Sequence, residues 1–231
     1  MRRLLLFDID GTLMDTRGAG LSALLDAAEE VLGLAREQVP ALDLAGATDG
    51  GIFRQMLRDA GRAEDDAELT QAYRRSYLDH LERRLRGADF AGELLPGVRA
   101  LLEALRQGAE ARLGLLTGNV RDGAQSKLRR FELDGYFSGG AFGDDAEDRN
   151  LLGPIAMHRL AGDRPEPWRA EEVIVIGDTV RDIACAAACG ARCLAVATGV
   201  HSRSLLEQRE PWCCLDDLSD TAAVVELLTL A

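Results

Sequence analysis

The sequence predicts an α/β protein: a three-layer, parallel sheet core into which an all-helical segment is inserted. Three observations favour this class. The chain opens with a short apolar run at residues 4–7, residues 17–89 show only helical spacing of apolar side chains, and from Leu95 onward apolar runs alternate with helical segments. Such alternation builds a parallel sheet with helices on both faces, because each connection crosses one face of the sheet.

Two acidic residues follow the first strand. The apolar run at residues 4–7 is typical of a buried strand. Asp8 and Asp10 leave its end together, and Gly11 allows the backbone to turn there. One alternative is an acidic strand end followed by an ordinary Asp-Gly turn. Two carboxylates where folding requires neither favour instead a site that handles a cation, a proton or both.

The inserted segment has the pattern of several helices. Apolar residues recur at helical spacing in residues 21–32. Thr48 and Asp49 offer an N-cap to a helix that continues to Leu57, and residues 69–85 form a longer amphipathic stretch. We therefore expect a core domain of residues 1–15 and 93–231 and a helical domain of residues 16–92.

The second part of the core alternates between the two element types. The predicted strands are residues 113–116, 141–142, 173–176 and 193–196. The predicted helices are residues 98–106, 124–131, 152–160, the Ala- and Cys-rich segment after Asp178, and residues 222–228. The run at 173–176 is the strongest strand signal in the chain, and the one at 141–142 is the weakest.

Polar residues cluster where these strands end. Besides Asp8 and Asp10, the clusters are Thr117-Gly118-Asn119, Asp178 with Asp182, and Lys127 one helix after the second strand. In an open parallel sheet, ligands bind outside the carboxyl ends of the strands. Each cluster taken alone could be a helix cap. Four clusters at one edge of the sheet favour a common site.

Composition narrows the function. The net charge of −12 argues against a nucleic-acid or anionic-membrane partner, and an anionic substrate would need local positive groups to bind. Of the 27 basic residues only Lys127 is a lysine. The five cysteines are odd in number and lack C-x-x-C spacing, which fits reduced thiols. No apolar stretch is long enough to span a bilayer, so we expect a cytoplasmic protein.

Four ordered segments resemble the motifs of the haloacid dehalogenase-like (HAD) hydrolase superfamily. They are Asp8-Ile9-Asp10-Gly11-Thr12-Leu13, Thr117-Gly118-Asn119, Lys127, and Gly177-Asp178-Thr179-x-x-Asp182. The helical insertion resembles that superfamily's cap domain of the first type. Further segments resemble its phosphoglycolate phosphatase-like branch: Lys127-Leu128, Gly135-Tyr136-Phe137 and Phe142-Gly143-Asp144-Asp145. The resemblance covers essentially the whole chain and implies a Rossmann-like core with an inserted all-helical cap domain.

The resemblance implies a role for each acidic residue. Asp8 would be the nucleophile that forms an aspartyl-phosphate. Asp10 would protonate the leaving alcohol and then activate water. Mg²⁺, a hard cation that prefers oxygen ligands, would be held by the Asp8 carboxylate, the backbone carbonyl of Asp10 and the Asp178 carboxylate. Asp182 would hold the metal's waters or Lys127 in place.

The resemblance also supplies the positive groups that the net charge demands. Lys127 would neutralise the nucleophile and the transferring phosphoryl group. Thr117, with the backbone N–H groups of Gly118 and Asn119, would hold the phosphoryl oxygens. The expected partner is therefore a small phosphorylated metabolite.

Two residue choices narrow the reaction. Asp10 favours phosphate-ester chemistry, because the dehalogenases of this superfamily lack an acid there. The cap contains no lysine, which a phosphonatase-type enzyme would need. We therefore expect a Mg²⁺-dependent phosphatase that hydrolyses a small, phosphoglycolate-like phosphate monoester. A phosphomutase of the β-phosphoglucomutase type and a catalytically silent regulatory protein are the alternatives.

Substrate selection is expected in the cap, whose loops close over the site. The candidates are Arg17, Thr48, Asp49 and Arg54. Arg17 or Arg54 could bind a substrate carboxylate through two hydrogen bonds. The alternative is that both are solvated surface arginines. Near the rim, Asp144 and Asp145 are expected to form a structural ion-pair network with Arg149.

Overall fold

The structure of the protein is a computed structural model, and it describes residues 3–40, 43–108, 110–162 and 164–230. The strands are β1 (Arg3–Phe7), β2 (Met14–Asp15), β3 (Glu93–Leu94), β4 (Ala111–Leu116), β5 (Gly140–Ala141), β6 (Val173–Gly177), β7 (Arg192–Val196) and β8 (Cys213–Leu215). The α-helices are α1 (Ala19–Ala27), α2 (Asp49–Asp59), α3 (Ala67–Arg86), α4 (Val98–Gly108), α5 (Arg121–Arg130), α6 (Leu152–Arg159), α7 (Val180–Ala188), α8 (Arg203–Glu207) and α9 (Thr221–Leu230).

The core is a six-stranded parallel sheet in the order β5-β4-β1-β6-β7-β8. Strand β1 lies between β4 and β6, with Leu5 opposite Leu113 on one side and Ile174 on the other. Every residue of β1 is buried. Strands covered on both faces take continuous apolar runs, which explains the sequence at residues 4–7.

Helices cover both faces of the sheet. Leu5 and Phe7 belong to a core cluster shared with α4, α5 and α9, whereas Leu4 and Leu6 belong to a second cluster shared with α6, α7 and α8. Successive residues of a strand point to opposite faces, so one strand serves both clusters. The three-layer α/β core predicted from the sequence is confirmed.

The insertion after β2 is helical and encloses its own core. Its strand-free part comprises α1 with a following π-helical turn (Ala28–Leu32), a short 3₁₀ turn, α2 and α3. Phe53 packs edge-on against Tyr73 and Tyr77, with ring centroids 5.0 and 5.7 Å apart. The Tyr73 hydroxyl donates to the Leu24 carbonyl at 3.0 Å. These contacts bind the three helices together as the cap.

A two-stranded antiparallel ribbon joins the cap to the core. Met14 of β2 pairs with Leu94 of β3, and Asp15 pairs with Glu93. The predicted domain boundaries, after residue 15 and before residue 93, fall at the ends of this ribbon and stay a prediction. Both connections of the cap therefore leave the core side by side.

The sequence patterns missed the elements that are too short for a period to show. Helix α8 has five residues and edge strand β8 has three. Strand β5 is Gly140–Ala141, one residue before the predicted position. None of the helices in the described chain combines the length and hydropathy that crossing a bilayer requires.

Candidate active site

The loop after β1 places two carboxylates at the edge of the sheet. Asp8 is buried, and its N–H donates to the Ile176 carbonyl at 2.9 Å, which continues the pairing of β1 with β6. Gly11 has φ of +80°, and a Cβ there would lie 2.3 Å from Asp178 Oδ2. The turn therefore requires glycine both for its backbone conformation and for the approach of Asp178.

Asp8, Asp178 and Asp182 form a buried acidic cluster whose carboxylate oxygens lie within 4.8 Å of one another. Burial raises the pKa of Asp8 to about 6; the Arg149 guanidinium opposes this shift, and the Asp182 and Asp10 carboxylates add to it. Burial also raises the pKa of Asp178 well above its usual value, and the Asp182 and Asp8 carboxylates raise it further. The cluster is thus short of positive charge.

The hydrogen bonds of the cluster show which oxygens a metal could use. Asp182 Oδ1 accepts from Arg149 at 2.5 Å, and its Oδ2 accepts from the N–H and hydroxyl of Thr179 at 2.9 and 2.6 Å. Asp178 accepts only the Thr12 hydroxyl, through Oδ1 at 2.9 Å, among the described side chains. Asp8 and Asp178 are therefore the carboxylates that fit a hard divalent cation, while Asp182 serves α7 and Arg149.

The cation beside Asp8 is Arg149. Its Nη2 lies 3.3 Å from Asp8 Oδ2, and the side chain is almost fully buried. It also donates to the carbonyls of Gly46 at 3.2 Å and Leu116 at 3.4 Å. The Asp182 and Asp8 carboxylates raise the pKa of Arg149 although burial acts against the charge. Arg149 thus links Asp8, strand β4 and the cap loop that contains Gly46.

The prediction that Asp144 and Asp145 form an ion-pair network with Arg149 was wrong. Asp145 pairs with Arg159, and Asp144 pairs with Arg74 at 2.5 Å. The chain contains many arginines, and the sequence pattern did not distinguish Arg149 from the others as a residue of the site. A signal existed nonetheless, because several buried carboxylates with one lysine leave a charge deficit that another cation must fill.

Lys127 serves Asp10 instead of Asp8. Its Nζ lies 2.5 Å from Asp10 Oδ2 and 2.6 Å from Asn119 Oδ1. Asn119 Nδ2 also donates to Asp10 Oδ2 and to Thr117 Oγ1, both at 2.8 Å. In the described part of the chain, Lys127 therefore pairs with Asp10, and the structure records no ion pair between Lys127 and Asp8 or Asp182.

The loop after β4 brings the predicted phosphate-binding residues to the same edge. Thr117 is fully buried and its N–H is used in the sheet, donating to Ala141 at 3.1 Å. The Asn119 N–H donates to the Thr117 hydroxyl oxygen at 3.3 Å. The Gly118 N–H has no hydrogen-bond partner within the described part of the chain. The Thr117 hydroxyl and the Gly118 N–H are thus the donors left for a ligand.

A cavity of about 450 Å³ opens over this edge, between core and cap. Among its lining residues are Asp8, Asp10, Thr117, Gly118, Asn119, Lys127, Arg149 and Asp178. A volume between roughly 300 and 1,000 Å³ is usual for small-molecule sites. The sequence-predicted core residues therefore converge on one cavity, except Asp182, which lies behind them.

The cap candidates divide into one that lines the cavity and three that do not. Asp49 lines it. Thr48 caps α2, accepting from Gly51 N–H at 3.2 Å. Arg17 pairs with Asp15 and Glu93, and Arg54 pairs with Glu147. Both arginines are more than half exposed and lie outside the cavity lining, as the surface alternative requires.

The fold and this site are those of one family of hydrolases. The sequence model of the haloacid dehalogenase-like hydrolase family matches residues 5–196, and the chain belongs to that family. The chain is 27% identical to a probable phosphatase, IndB, from Dickeya dadantii, over 99% of this chain and 95% of the relative. It is 27% identical to a phosphoglycolate phosphatase from Yersinia pestis, over 97% and 93%.

Other matches extend the comparison. The tyrosine-protein kinase PtkA from Mycobacterium tuberculosis is 30% identical over 89% of this chain but only 66% of its own length. A hydrolase from Pseudomonas syringae shares the fold with a TM-score of 0.73 and 21% identity, over 99% of this chain and 100% of that one. CbbY from Rhodobacter sphaeroides, in complex with phosphate, gives 0.71 and 19%, over 95% and 96%.

Within the family, the chain is a phosphoric monoester hydrolase with a phosphoglycolate phosphatase-like sequence. The site contains two ion pairs. Arg149 pairs with Asp8, and Lys127 pairs with Asp10. Each candidate catalytic carboxylate therefore has its own cation.

Proposed function

We propose that the protein is a Mg²⁺-dependent phosphatase that hydrolyses a small phosphate monoester through an aspartyl-phosphate on Asp8. One observation carries the proposal: Asp8 and Asp10 line one cavity, each beside its own buried cation. The small phosphorylated metabolite that would bind there, and a cytoplasmic location supported by the odd number of cysteines, are parts of the same proposal.

Asp8 is the proposed nucleophile. Its backbone is fixed by the hydrogen bond to Ile176, and its carboxylate is oriented by Arg149. Attack of a carboxylate oxygen on phosphorus forms one P–O bond while the bond to the alcohol oxygen breaks. The guanidinium beside Asp8 compensates the repulsion between the carboxylate and the phosphoryl oxygens. The Thr117 hydroxyl and Gly118 N–H supply further donors for those oxygens.

Asp10 is the proposed acid and base. Its side chain is 41% exposed, unlike the buried Asp8, and it lines the cavity. Lys127 and Asn119 hold its Oδ2, which leaves Oδ1 for the substrate side. Asp10 would give a proton to the alcohol oxygen as that oxygen leaves. It would then take a proton from the water that attacks the phosphorus of the aspartyl-phosphate, releasing inorganic phosphate.

Mg²⁺ fits the acidic cluster on the chemistry of its donors. Asp8 and Asp178 present carboxylate oxygens that their surroundings leave short of positive charge. A Cβ at Gly199 would lie 1.7 Å from Asp178 Oδ2, so glycine leaves the space that this carboxylate fills. The two carboxylates and the Asp10 carbonyl would hold the metal. When bound, Mg²⁺ would offset the charge of the nucleophile and of the phosphoryl group.

Phosphatase and phosphomutase differ in what receives the phosphoryl group from Asp8. A mutase returns it to a sugar phosphate, and a phosphatase gives it to water. The sequence relatives named as phosphatases favour water as the acceptor. The phosphoglycolate that one relative is named for sets the expected size of the substrate.

Release of phosphate from p-nitrophenyl phosphate and a panel of small esters tests the proposal. We expect Mg²⁺-dependent release that EDTA abolishes and that Asp8→Asn lowers by at least about 10³-fold, as the loss of a nucleophile does. Asp122→Asn, at an exposed site outside the cavity, is the charge-matched control. Wild-type protein that releases no phosphate from any ester would overturn the proposal.

A second variant tests the intermediate. Asp10→Asn should still be phosphorylated by p-nitrophenyl phosphate, because p-nitrophenolate leaves without a proton. It should then accumulate the aspartyl-phosphate, since the base for its hydrolysis is missing. Acid quench and mass spectrometry should find a hydroxylamine-labile phosphoryl group on Asp8. Label on another residue would contradict the assignment.

A further inference from the structure

The two walls of the cavity differ in chemistry. The core wall carries the carboxylates, the cations and the phosphoryl donors described above. The cap wall is built mainly from small and apolar residues: Leu21, Leu24, Leu44, Ala45, Ala47 and Ile52. The phosphoryl group would occupy the core side, next to Asp8. The alcohol of the ester therefore faces the cap wall.

No cationic side chain of the cap lines the cavity, in the part of the chain that the structure describes. The two cations that do line it belong to the core, and each is already bound to an acidic side chain. Lys127 is bound to Asp10, and Arg149 to Asp182 and Asp8. A second negative charge on the substrate would find no free cation among the described residues of the cap wall.

Among the described residues, the one charged group on the cap wall is the carboxylate of Asp49. Asp49 is 7% exposed, and its Oδ2 accepts the Val120 N–H at 2.8 Å. Its own N–H donates to the Gly118 carbonyl at 2.7 Å. Burial and the nearby Asp49 carboxylate raise the pKa of the Tyr77 hydroxyl, which also lines the cavity. The two hydrogen bonds to the loop after β4 fix Asp49 in place. An anionic alcohol would be repelled by Asp49 and would lose its hydration against apolar walls.

We propose that the substrate is the phosphate ester of an uncharged alcohol with an apolar body, and that esters whose alcohol carries a carboxylate are rejected. The inference rests on the proposed phosphatase function and defines its substrate class. Burial of the alcohol against Leu21, Leu24 and Ile52 supplies affinity, and Asp49 supplies the discrimination. The named substrate of the phosphoglycolate phosphatase relatives would thus be a poor substrate here.

Matched pairs of esters test the proposal on the wild-type protein with Mg²⁺. Isobutyl phosphate and 2-phosphoglycolate have the same branched outline and differ in the charge of the alcohol. n-Propyl phosphate and O-phosphoethanolamine form a second pair, in which one member is cationic. We expect kcat/KM for isobutyl phosphate to exceed that for 2-phosphoglycolate by about tenfold or more. We expect kcat/KM for n-propyl phosphate to be at least equal to that for O-phosphoethanolamine.

Each outcome of these assays decides something. Equal or faster hydrolysis of 2-phosphoglycolate would overturn the proposal, and a preference for O-phosphoethanolamine would show a cation site instead. p-Nitrophenyl phosphate separates the two levels of inference. If it is hydrolysed while the matched pairs show no discrimination, the phosphatase function stands and the substrate class falls. If no ester is hydrolysed, both fall.

A gain of recognition gives an independent test. Leu21 lines the cavity yet is 40% exposed, so a polar side chain can replace it without opening the cap core. Leu21→Arg places a guanidinium on the cap wall, and it should raise the kcat/KM ratio of 2-phosphoglycolate to isobutyl phosphate by about tenfold. Leu21→Gln, similar in polarity but uncharged, should not. An unchanged ratio in Leu21→Arg would show that the alcohol does not face this wall.

Asp49→Asn tests the proposed source of the discrimination. The amide keeps an oxygen that can accept the Val120 N–H and removes only the charge. The ratio of 2-phosphoglycolate to isobutyl phosphate should rise about three- to tenfold, mainly through a lower KM for 2-phosphoglycolate. Asp122→Asn removes an exposed charge outside the cavity and should leave the ratio unchanged. Equal changes in both variants would assign the effect to overall charge.

Discussion

The core wall and the cap wall of the cavity differ in the groups that they present to a ligand: the core wall is charged, and the cap wall is mainly apolar. On the core wall, two buried cations face three carboxylates: Arg149 pairs with Asp8 and Asp182, and Lys127 pairs with Asp10. On the cap wall, as far as the structure describes it, the charged lining residue is Asp49, and burial raises the pKa of this carboxyl to about 6. Buried ion pairs are costly to change, whereas apolar contacts vary at low cost. The comparison suggests that the chemistry is fixed by the core and the choice of alcohol by the cap.

The largest effect should follow removal of the core cation Arg149. Arg149→Ala leaves Asp8 and Asp182 buried without their partner, so the free energy of unfolding should fall by about 3–5 kcal/mol. Activity should fall by about 10²–10³-fold, because Asp8, the proposed nucleophile, loses its orientation. Urea denaturation and steady-state kinetics measure the two losses.

A control from the cap sharpens this comparison. Arg58 pairs with Glu64 on the cap surface, where both side chains are about half exposed. Arg58→Ala should cost about 1 kcal/mol or less. Arg149→Lys keeps the charge and serves where the alanine variant does not fold. Equal losses for Arg149 and Arg58 would contradict the special position of the core pair.

The next effect is on the pH dependence of stability without metal. The pKa of Asp8 is about 6 in the fold against an ordinary 3.8, so the folded state holds this proton more tightly than the unfolded chain. Its stabilising contribution is complete below pH 4 and is lost as pH rises through about 6. The loss is of order 3 kcal/mol, since one pKa unit corresponds to about 1.4 kcal/mol.

Comparison with Asp8→Asn measures this contribution together with the effect of Asp8 on the neighbouring Asp178 carboxyl. The variant lacks this carboxyl group. In EDTA, the free energy of unfolding of the variant minus that of the wild type should therefore increase between pH 4 and pH 7. Mg²⁺ should reduce or reverse the difference, because the charged cluster then has a ligand. Parallel pH profiles for the two proteins in EDTA would show that the cluster is not strained without metal.

Smaller effects on KM and on stability are expected from a substitution at Gly118, where the core wall contacts the cap. A Cβ at Gly118 would lie 1.8 Å from the Ala47 carbonyl of the cap, so Gly118→Ala must push the cap loop away. KM should rise several-fold, and the free energy of unfolding should fall by about 1–3 kcal/mol. A Cβ at Gly135 meets nothing within 4 Å, which makes Gly135→Ala the control. Similar kinetics for both variants would mean that cap contact at Gly118 is not needed for binding.

The smallest effect should come from the cap arginines that sequence reasoning proposed for a carboxylate. Arg17→Gln and Arg54→Gln remove exposed ion pairs outside the cavity lining. Stability should change by about 0.5 kcal/mol or less, and kcat/KM for every ester, 2-phosphoglycolate included, should stay within about twofold. A selective rise of KM for 2-phosphoglycolate in either variant would restore the carboxylate site.

The sequence predicted the core wall better than the cap wall, for a physical reason. Asp8, Thr117 and Asp178 each follow a strand, and strand order alone brings strand ends to one edge. Lys127 and Arg149 reach the site from helical segments, where the direction of a long side chain depends on packing. Their partners could not be read from spacing. Lys127 was expected to act on Asp8 and pairs with Asp10. Arg149 was expected to pair with Asp144 and Asp145 and instead pairs with Asp8 and Asp182.

On the cap, the sequence showed which residues are helical but not which of them face the core. Asp49 lines the cavity because α2 begins against the loop after β4, a contact between segments far apart in the chain. Arg54 lies on the same helix and faces Glu147 on the outside. Helical spacing groups residues by face without telling which face the fold will cover.

The ribbon of β2 and β3 attaches the cap to the core in a way that would allow the cap to be replaced by another helical insert. Because both of its ends leave the core in neighbouring, paired strands, a different helical insert could be joined there without altering the order or register of the main sheet. Selectivity for the alcohol could then diversify in a lineage, or in a library, one insert at a time. The machinery that breaks the phosphate ester would be inherited unchanged.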